Sequence, residues 1–214
     1  MAVSLPNGIL WAVATAYAAA LNVTAASNAS ECALTVANGL AAGDIVEYTS
    51  GWSRANARLF RVKSPTAGGL VLEGFDTSNT TQFPAGNGVG SIRKINTWTQ
   101  IQQVMDATSS GGDPQYQTFS FLEDDYDRQI PTTTSAQSLA ITIADDPTLA
   151  GYQALKTVAQ ARVATGLRAS LPQGGFIYYN GIFAFDETPT MSKGNVMQVK
   201  SGCALQGRPV RYAS

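Results

Sequence analysis

The group of residues in this sequence most suited to chemistry is a run of four carboxylates: Glu123, Asp124, Asp125 and Asp127. Clustered carboxylates bind calcium or magnesium through oxygen, or serve as the acid and base of glycoside hydrolysis. The run lacks the spacing and the glycine of an EF-hand loop, and it directly follows the strand-like stretch Gln117–Leu122. These features favour a solvated strand end. A carbohydrate hydrolase that uses Glu123 and Asp125 is the alternative.

Other residue types narrow the possible chemistry further. Histidine is absent, which excludes Ser–His and Cys–His triads and histidine-ligated metal sites. The glycine-rich stretches at 68–69 and 86–90 neither open a helix nor carry the lysine of a phosphate-binding loop. We therefore predict a non-enzymatic protein with no catalytic, cofactor-binding or metal-binding residues and no cofactor.

The apolar run Ile9–Leu21 has the character of a signal-peptide core. However, no lysine or arginine precedes Arg54, so the basic segment of such a signal is missing, and the run is too short to span a bilayer. We interpret it as buried β structure. A secreted β-sandwich binding module stays open as an alternative: it would be cleaved near Ala20 and carry a Cys32–Cys203 disulfide, whereas two cysteines in such a chain favour free thiols.

The composition indicates that much of the surface is in contact with other protein chains. The 214 residues are 44% hydrophobic and only 14% charged, against about a quarter charged in typical soluble domains. The net charge of −1 argues against a protein that binds nucleic acid through its phosphates, because such binding requires a clustered basic face.

The charges are unevenly distributed along the chain. Positions 101–150 hold eight acidic residues and one basic residue, Arg128. Positions 151–214 hold seven basic residues and two acidic ones. Two interpretations stay open: two oppositely charged surfaces within one fold, or complementary faces on neighbouring copies that steer head-to-tail assembly.

A strand followed by a helix forms the centre of the C-terminal half. Apolar and smaller residues alternate over 137–144, which predicts a strand with one buried face. Asp146 then suits a helix N-cap with Pro147 as the first helical residue. Apolar side chains at spacings of one, three and four predict an amphipathic helix over about Pro147–Val163, which Gly166 would end.

Most of the remaining chain is strand-like. Apolar runs bounded by turn residues predict strands at Ile9–Val13, Ala20–Thr24, Ala33–Val36, Asp44–Thr49, Ala57–Val62, Leu70–Phe75, Ser91–Trp98, Gly166–Leu171, Phe176–Phe185 and Asn195–Leu205. The pattern is typical of a mainly β, α+β fold with an antiparallel sheet that one helix covers.

Three segments are less regular. Asn96–Met105 has apolar residues three apart, which suggests one or two helical turns. Asp106–Pro114 is predicted to be a flexible connector, or an arm that orders on a partner. Asn180-Gly181 fits either a hairpin turn or a bulge within one long strand. We divide a single domain, 1–214, into a β-rich half (1–95), a loop-containing connector (96–115) and a strand–helix–strand core (116–214).

Ordered motifs along most of the chain, from about residue 38 to the end, resemble those of one protein family. They are Gly43–Glu47, Thr49–Ser53, Phe60–Val62, Phe83–Gly86, Trp98–Ile101, Phe121–Glu123, Gln129–Thr132, Ala144–Pro147, Leu171–Pro172, Tyr179–Gly181, Asn195–Met197 and Gly207–Tyr212. In order and spacing, these motifs resemble the major tail tube proteins of long, non-contractile-tailed (siphovirus-type) bacteriophages.

The resemblance implies a β-sandwich or half-barrel flanked by one helix, with Phe176–Phe185 as one continuous strand. It implies a structural virion protein, assembled in the host cytoplasm without contact with a membrane. Six copies would form a ring, and stacked rings would form a hollow tube, with inner strands joined into a continuous barrel and DNA passing only as cargo during ejection. The implied partners are further copies and the tail tip or initiator, tape measure and tail terminator proteins.

By analogy with such tubes, inter-ring contacts are expected at the loops Ser64–Gly69, Thr77–Gly90 and Ser109–Pro114. The last of these is expected to be disordered in the free monomer and ordered by assembly.

Overall fold

The computed structural model describes residues 7–213, which form sixteen strands and one helix. The first eight strands are β1 (Leu10–Tyr17), β2 (Leu21–Val23), β3 (Ala25–Ala26), β4 (Ala33–Thr35), β5 (Ile45–Ser50), β6 (Arg58–Thr66), β7 (Gly69–Leu72) and β8 (Gly90–Ile101). They are followed by β9 (Val104–Ser110), β10 (Pro114–Phe119), β11 (Arg128–Thr134), β12 (Ser138–Ala144), α1 (Ala150–Ala161), β13 (Thr165–Ser170), β14 (Phe176–Thr190), β15 (Gln198–Leu205) and β16 (Val210–Tyr212).

Fourteen of the strands form one curled antiparallel sheet. Its order is β3-β4-β7-β6-β5-β8-β1-β13-β14-β15-β12-β9, with β2 added to β8 and β16 added to β14. The two longest strands, β8 and β14, each pair with three others, so they join smaller sheets into a half-barrel. The predicted mainly β, antiparallel half-barrel with one flanking helix is therefore confirmed. The remaining two strands, β10 and β11, pair only with each other.

The core divides between the two halves of the sheet. One cluster of buried side chains lies between α1 and the strands of the C-terminal half, with Leu155 and Leu167 fully buried at its centre. A second cluster fills the N-terminal half around Trp52 and Phe60. Cys32 lies in the second cluster and Cys203 in the first, and both are free thiols. This arrangement contradicts the disulfide that the secreted-module interpretation requires.

The helix is shorter at both ends than the predicted Pro147–Val163. The Asp146 carboxylate accepts hydrogen bonds from the amide (3.0 Å) and the hydroxyl (2.6 Å) of Thr148, which lower the pKa of Asp146. Asp146 therefore stabilises a turn ahead of the helix instead of capping it, and Leu149 is the N-cap. Arg162, with φ of 52°, ends the helix before Gly166 is reached.

Three further local predictions are settled by the strand pairing. Asn96–Met105 is not helical, because it forms the end of β8 and the start of β9. Most of the predicted connector Asp106–Pro114 is also regular, since β9 pairs with β12 as far as Ser110. Asn180-Gly181 is the middle of the continuous strand β14, as the family resemblance implied, and the pairing shows no register shift there.

The helix lies unusually close to β8 at Gly151. A Cβ atom at this position would lie 2.5 Å from the carbonyl oxygen of Gln100 and 2.7 Å from the Cα of Ile101. Both are backbone atoms, so the strand would have to shift to make room. We expect Gly151→Ala to lower the free energy of unfolding by about 1–3 kcal/mol, as overpacking does in other cores.

Chemical denaturation of the purified chain measures this effect. Gly39→Ala is the matched control, because nothing lies within 4 Å of a Cβ at Gly39. Equal unfolding free energies for the two variants would contradict the close approach of α1 to β8.

Candidate assembly surfaces

The acidic run lies at the end of a projecting hairpin. Strands β10 and β11 extend from the pair β9–β12 and carry the run in the turn between them. Glu123, Asp125 and Asp127 are exposed, while Asp124 forms an ion pair with Arg128 (3.2 Å). An exposed turn of this kind offers neither the concave site nor the exclusion of water that glycoside hydrolysis needs. No cluster of three or more metal-ligating side chains occurs among residues 7–213.

Sequence reasoning missed this hairpin, which we call the arm (residues 114–134). Nearly every side chain of β10 and β11 is exposed. Five of the exposed side chains are large and apolar: Tyr116, Phe121, Leu122, Tyr126 and Ile130. A two-stranded hairpin is only marginally stable by itself, and contiguous exposed apolar surface marks an interaction site. The arm is therefore a candidate interface.

Side chains within the turn hold it in shape. The rings of Phe119 and Phe121 pack edge to face, with centroids 5.6 Å apart. The guanidinium of Arg128 lies 5.2 Å from the centroid of the Tyr126 ring and 5.8 Å from that of Phe121. We call this turn, residues 120–127, the tip of the arm. Its aromatic and acidic side chains form a pre-organised surface.

A hydrogen-bonded bend sets the direction of the arm. Gly111 and Gly112 have φ of 80° and 90°, values that side chains rarely adopt. The Ser135 hydroxyl accepts hydrogen bonds from the amides of Gly112 (2.9 Å) and Asp113 (3.0 Å). We call these four residues the hinge. These hydrogen bonds define the bend between β9 and the arm, and disorder of Ser109–Pro114 in the free monomer stays a prediction.

The main sheet has two open edges, on β9 and on part of β14. Strand β9 pairs only with β12 in the part of the chain that the structure describes, so its other edge is unpaired. Strand β14 pairs with β13 only as far as Gly181. Beyond that residue its edge faces a cleft of about 860 Å³, which residues of α1 line on the opposite side. Unpaired edges of this kind are templates for strands of another chain.

The loops expected to contact other rings lie in different environments. Ser64–Gly69 comprises the end of β6, the turn that follows it and the first residue of β7. Thr77–Gly90 packs partly into the core, because Thr77 and Phe83 are buried and the Trp52 indole N–H donates to the Pro84 carbonyl oxygen (2.8 Å). No α-helix among the described residues is long and apolar enough to cross a membrane.

Comparison with known proteins gives one family match. A family model described as "Phage tail tube protein, TTP" matches residues 50–214. A chain of the solved structure "Virion of native gene transfer agent (GTA) particle" shares 11% sequence identity, with a TM-score of 0.40 over 54% of this chain and 89% of that chain. No curated protein matches the sequence.

Proposed function

Because this chain belongs to the phage tail tube protein family, we propose that six copies form a ring and that rings stack head to tail into a hollow tube. Genomic DNA would pass through this tube during ejection. Membership of the family makes the chain a structural protein of the phage virion. The ring size, the siphovirus-type tail and the passage of DNA belong to the proposal.

The observation that carries the proposal is the exposed arm. Its tip presents Phe121, Leu122 and Tyr126 to solvent, and Leu122 is fully exposed in the monomer. Large exposed apolar patches are rare on monomeric proteins and mark interaction sites. A subunit that assembles with other copies buries such a patch in the contact. In the proposed stack the arm meets a different surface of the next copy, which makes the contact heterologous. Heterologous contacts generate rings or open stacks.

The open strand edges support closure within a ring. The unpaired edges of β9 and of β14 beyond Gly181 lie on the same sheet. Pairing of edges between neighbours would extend the sheet from copy to copy into a continuous barrel, and main-chain hydrogen bonds would hold it together. The low charged fraction of 14% agrees with extensive contact between copies.

The proposal also includes partners and cargo. A heterologous stack has no length limit of its own, so tail tip or initiator, tape measure and tail terminator proteins are expected to start, measure and end it. DNA must slide without being held. A net charge of −1 suits a passage that does not bind phosphates strongly.

Electron microscopy of the purified protein over a concentration series, with its mass in solution, tests the proposal. We expect six-membered rings or hollow tubes above a threshold concentration. If the protein stays monomeric, tail tip complexes should be added to initiate assembly. Absence of tubes with these complexes present would contradict the proposal.

A further inference from the structure

A cleft at the base of the arm is rich in positive charge. It has a volume of about 600 Å³ and lies between the turn that follows β15 and the hinge, with Arg54 and Arg208 on its wall. Both arginines are exposed. Neither has a carboxylate within 4.0 Å among the described residues. We call this site the arginine cleft.

A third arginine, Arg58, lies behind the wall of the arginine cleft and adds to its positive charge. Arg58 packs under Gly207, which lines the cleft, and donates a hydrogen bond to the carbonyl oxygen of Arg54 (3.3 Å). Its Nε atom is buried without a hydrogen-bond partner. Burial lowers the pKa of Arg58, and the nearby positive charge of Arg208 lowers it further. The site therefore concentrates positive charge for which residues 7–213 supply no carboxylate within 4.0 Å of Arg54 or Arg208.

The tip of the arm carries the complementary charge. Glu123, Asp125 and Asp127 are exposed and form no ion pair with any residue in the described range 7–213, in which Arg128 pairs with Asp124. The tip also presents the apolar side chains of Phe121 and Leu122. The arginine cleft offers Leu205 and Pro209 beside its arginines, so both charged and apolar groups of the tip have counterparts there.

The tip cannot reach the cleft of its own chain. Gly112 of the hinge lines the cleft, and the six residues of β10 separate the hinge from the tip. An extended strand of that length spans about 20 Å. Because the paired strand β11 keeps the arm extended, the tip is directed away from its own cleft and toward another copy.

We propose that the tip of one copy docks into the arginine cleft of a second copy, and that this contact links successive rings of the tube. The inference rests on the proposed function and names the contact that stacks the rings. The receiving cleft is lined by Gly112 and Ser135, which belong to the hinge of the receiving copy. A tip that docks into an added ring therefore touches the residues that set the direction of that ring's own arms. Each docking step would orient the arms that dock into the ring after it.

Charge reversal on each side tests the docking. The tip variant is Glu123→Lys with Asp125→Lys, and the cleft variant is Arg54→Glu with Arg208→Glu. Each is expected to raise the protein concentration needed for tubes by about a hundredfold, because like charges facing each other across an interface oppose association. A chain with all four changes restores opposite charges and is expected to assemble within about threefold of the wild type.

Two controls separate docking from other effects. Arg54→Lys with Arg208→Lys keeps the positive charge and is expected to assemble at nearly the wild-type concentration. All changed side chains are exposed, so thermal unfolding of the monomers should match the wild type. Tube formation is measured by sedimentation and electron microscopy, with tail tip complexes added wherever the wild type needs them.

The outcomes distinguish this inference from the proposed function. Wild-type tubes together with unaffected charge-reversal variants, or a four-change chain no better than either pair, would overturn the docking contact and leave the tube function standing. Normal tubes from the cleft variant, with loss of DNA binding to a short duplex, would assign the arginine cleft to phosphates instead. Failure of the wild type itself, with tail tip complexes present, would count against the tube function.

Discussion

A chain in which residues 114–134 are replaced by a short glycine–serine turn is expected to fold normally and to form no tubes. The deleted strands are almost entirely exposed and contribute no side chain to the clusters of buried side chains in the described chain. Their removal takes little buried surface from the monomer, so we expect the free energy of unfolding to change by less than about 1 kcal/mol. The same deletion removes the whole apolar tip that we assign to contacts between copies.

Chemical denaturation and electron microscopy of the same preparation test both parts of this prediction. A second variant keeps the strands of the arm and changes only Phe121, Leu122 and Tyr126 to serine. We expect this variant to retain an extended arm and still lose assembly, which separates the apolar contact from the mere presence of a hairpin. Tubes that form at the wild-type concentration without the arm would contradict the prediction.

Most of the strands could be predicted from the sequence because apolar, buried side chains alternate along them with smaller or polar ones. Strand β12, for example, alternates Leu139, Ile141 and Ile143 in the core with less buried neighbours. Such alternation exists only where one face of a strand is covered. The same reasoning located β5, β6, β13 and β15 to within a few residues.

Strand β9 and the pairing of β10 with β11 were not predicted, although the strand-like stretch Gln117–Leu122 overlaps β10. Strand β9 contains Asp106, Ala107, Thr108, Ser109 and Ser110 and is held in place by β12, not by its own side chains. The strands of the arm have both faces in solvent in the monomer, so they carry no period-two pattern. A strand without one covered face carries no such pattern, so the hairpin was not recognised and the acidic tip was interpreted as a simple strand end.

Buried polar contacts between residues far apart in the sequence also cannot be predicted from the local sequence pattern. Glu47 on β5 is 5% exposed and pairs with Arg93 on β8 (2.7 Å). Its other carboxylate oxygen accepts a hydrogen bond from the side-chain amide of Asn180 on β14 (3.2 Å). The guanidinium of Arg93 also lies 4.1 Å from the centroid of the Tyr17 ring. Spacings of 46 and 133 residues separate Glu47 from its two partners, so nothing in the sequence connects them.

This network predicts that Glu47→Ala is among the most destabilising single changes in the chain. The change leaves the buried amide of Asn180 with only the carbonyl oxygen of Ala57 as acceptor, and it leaves the Arg93 charge without its carboxylate. Breaking one side of a buried ion pair costs about 3–5 kcal/mol. The Arg93 side chain is one-third exposed and can recruit water, so we expect a loss near the lower end, about 3 kcal/mol.

A surface ion pair supplies the matched control for this prediction. Glu31 pairs with Lys63 at 2.7 Å, yet both side chains are more than one-third exposed. Glu31→Ala should therefore cost no more than about 1 kcal/mol. Urea denaturation of the two variants beside the wild type measures the difference, and similar losses would mean that Glu47 behaves as a surface residue. A large loss confined to Glu47→Ala would instead identify its carboxylate as the polar link between the N-terminal sheet and strand β14, on which the shape of the half-barrel depends.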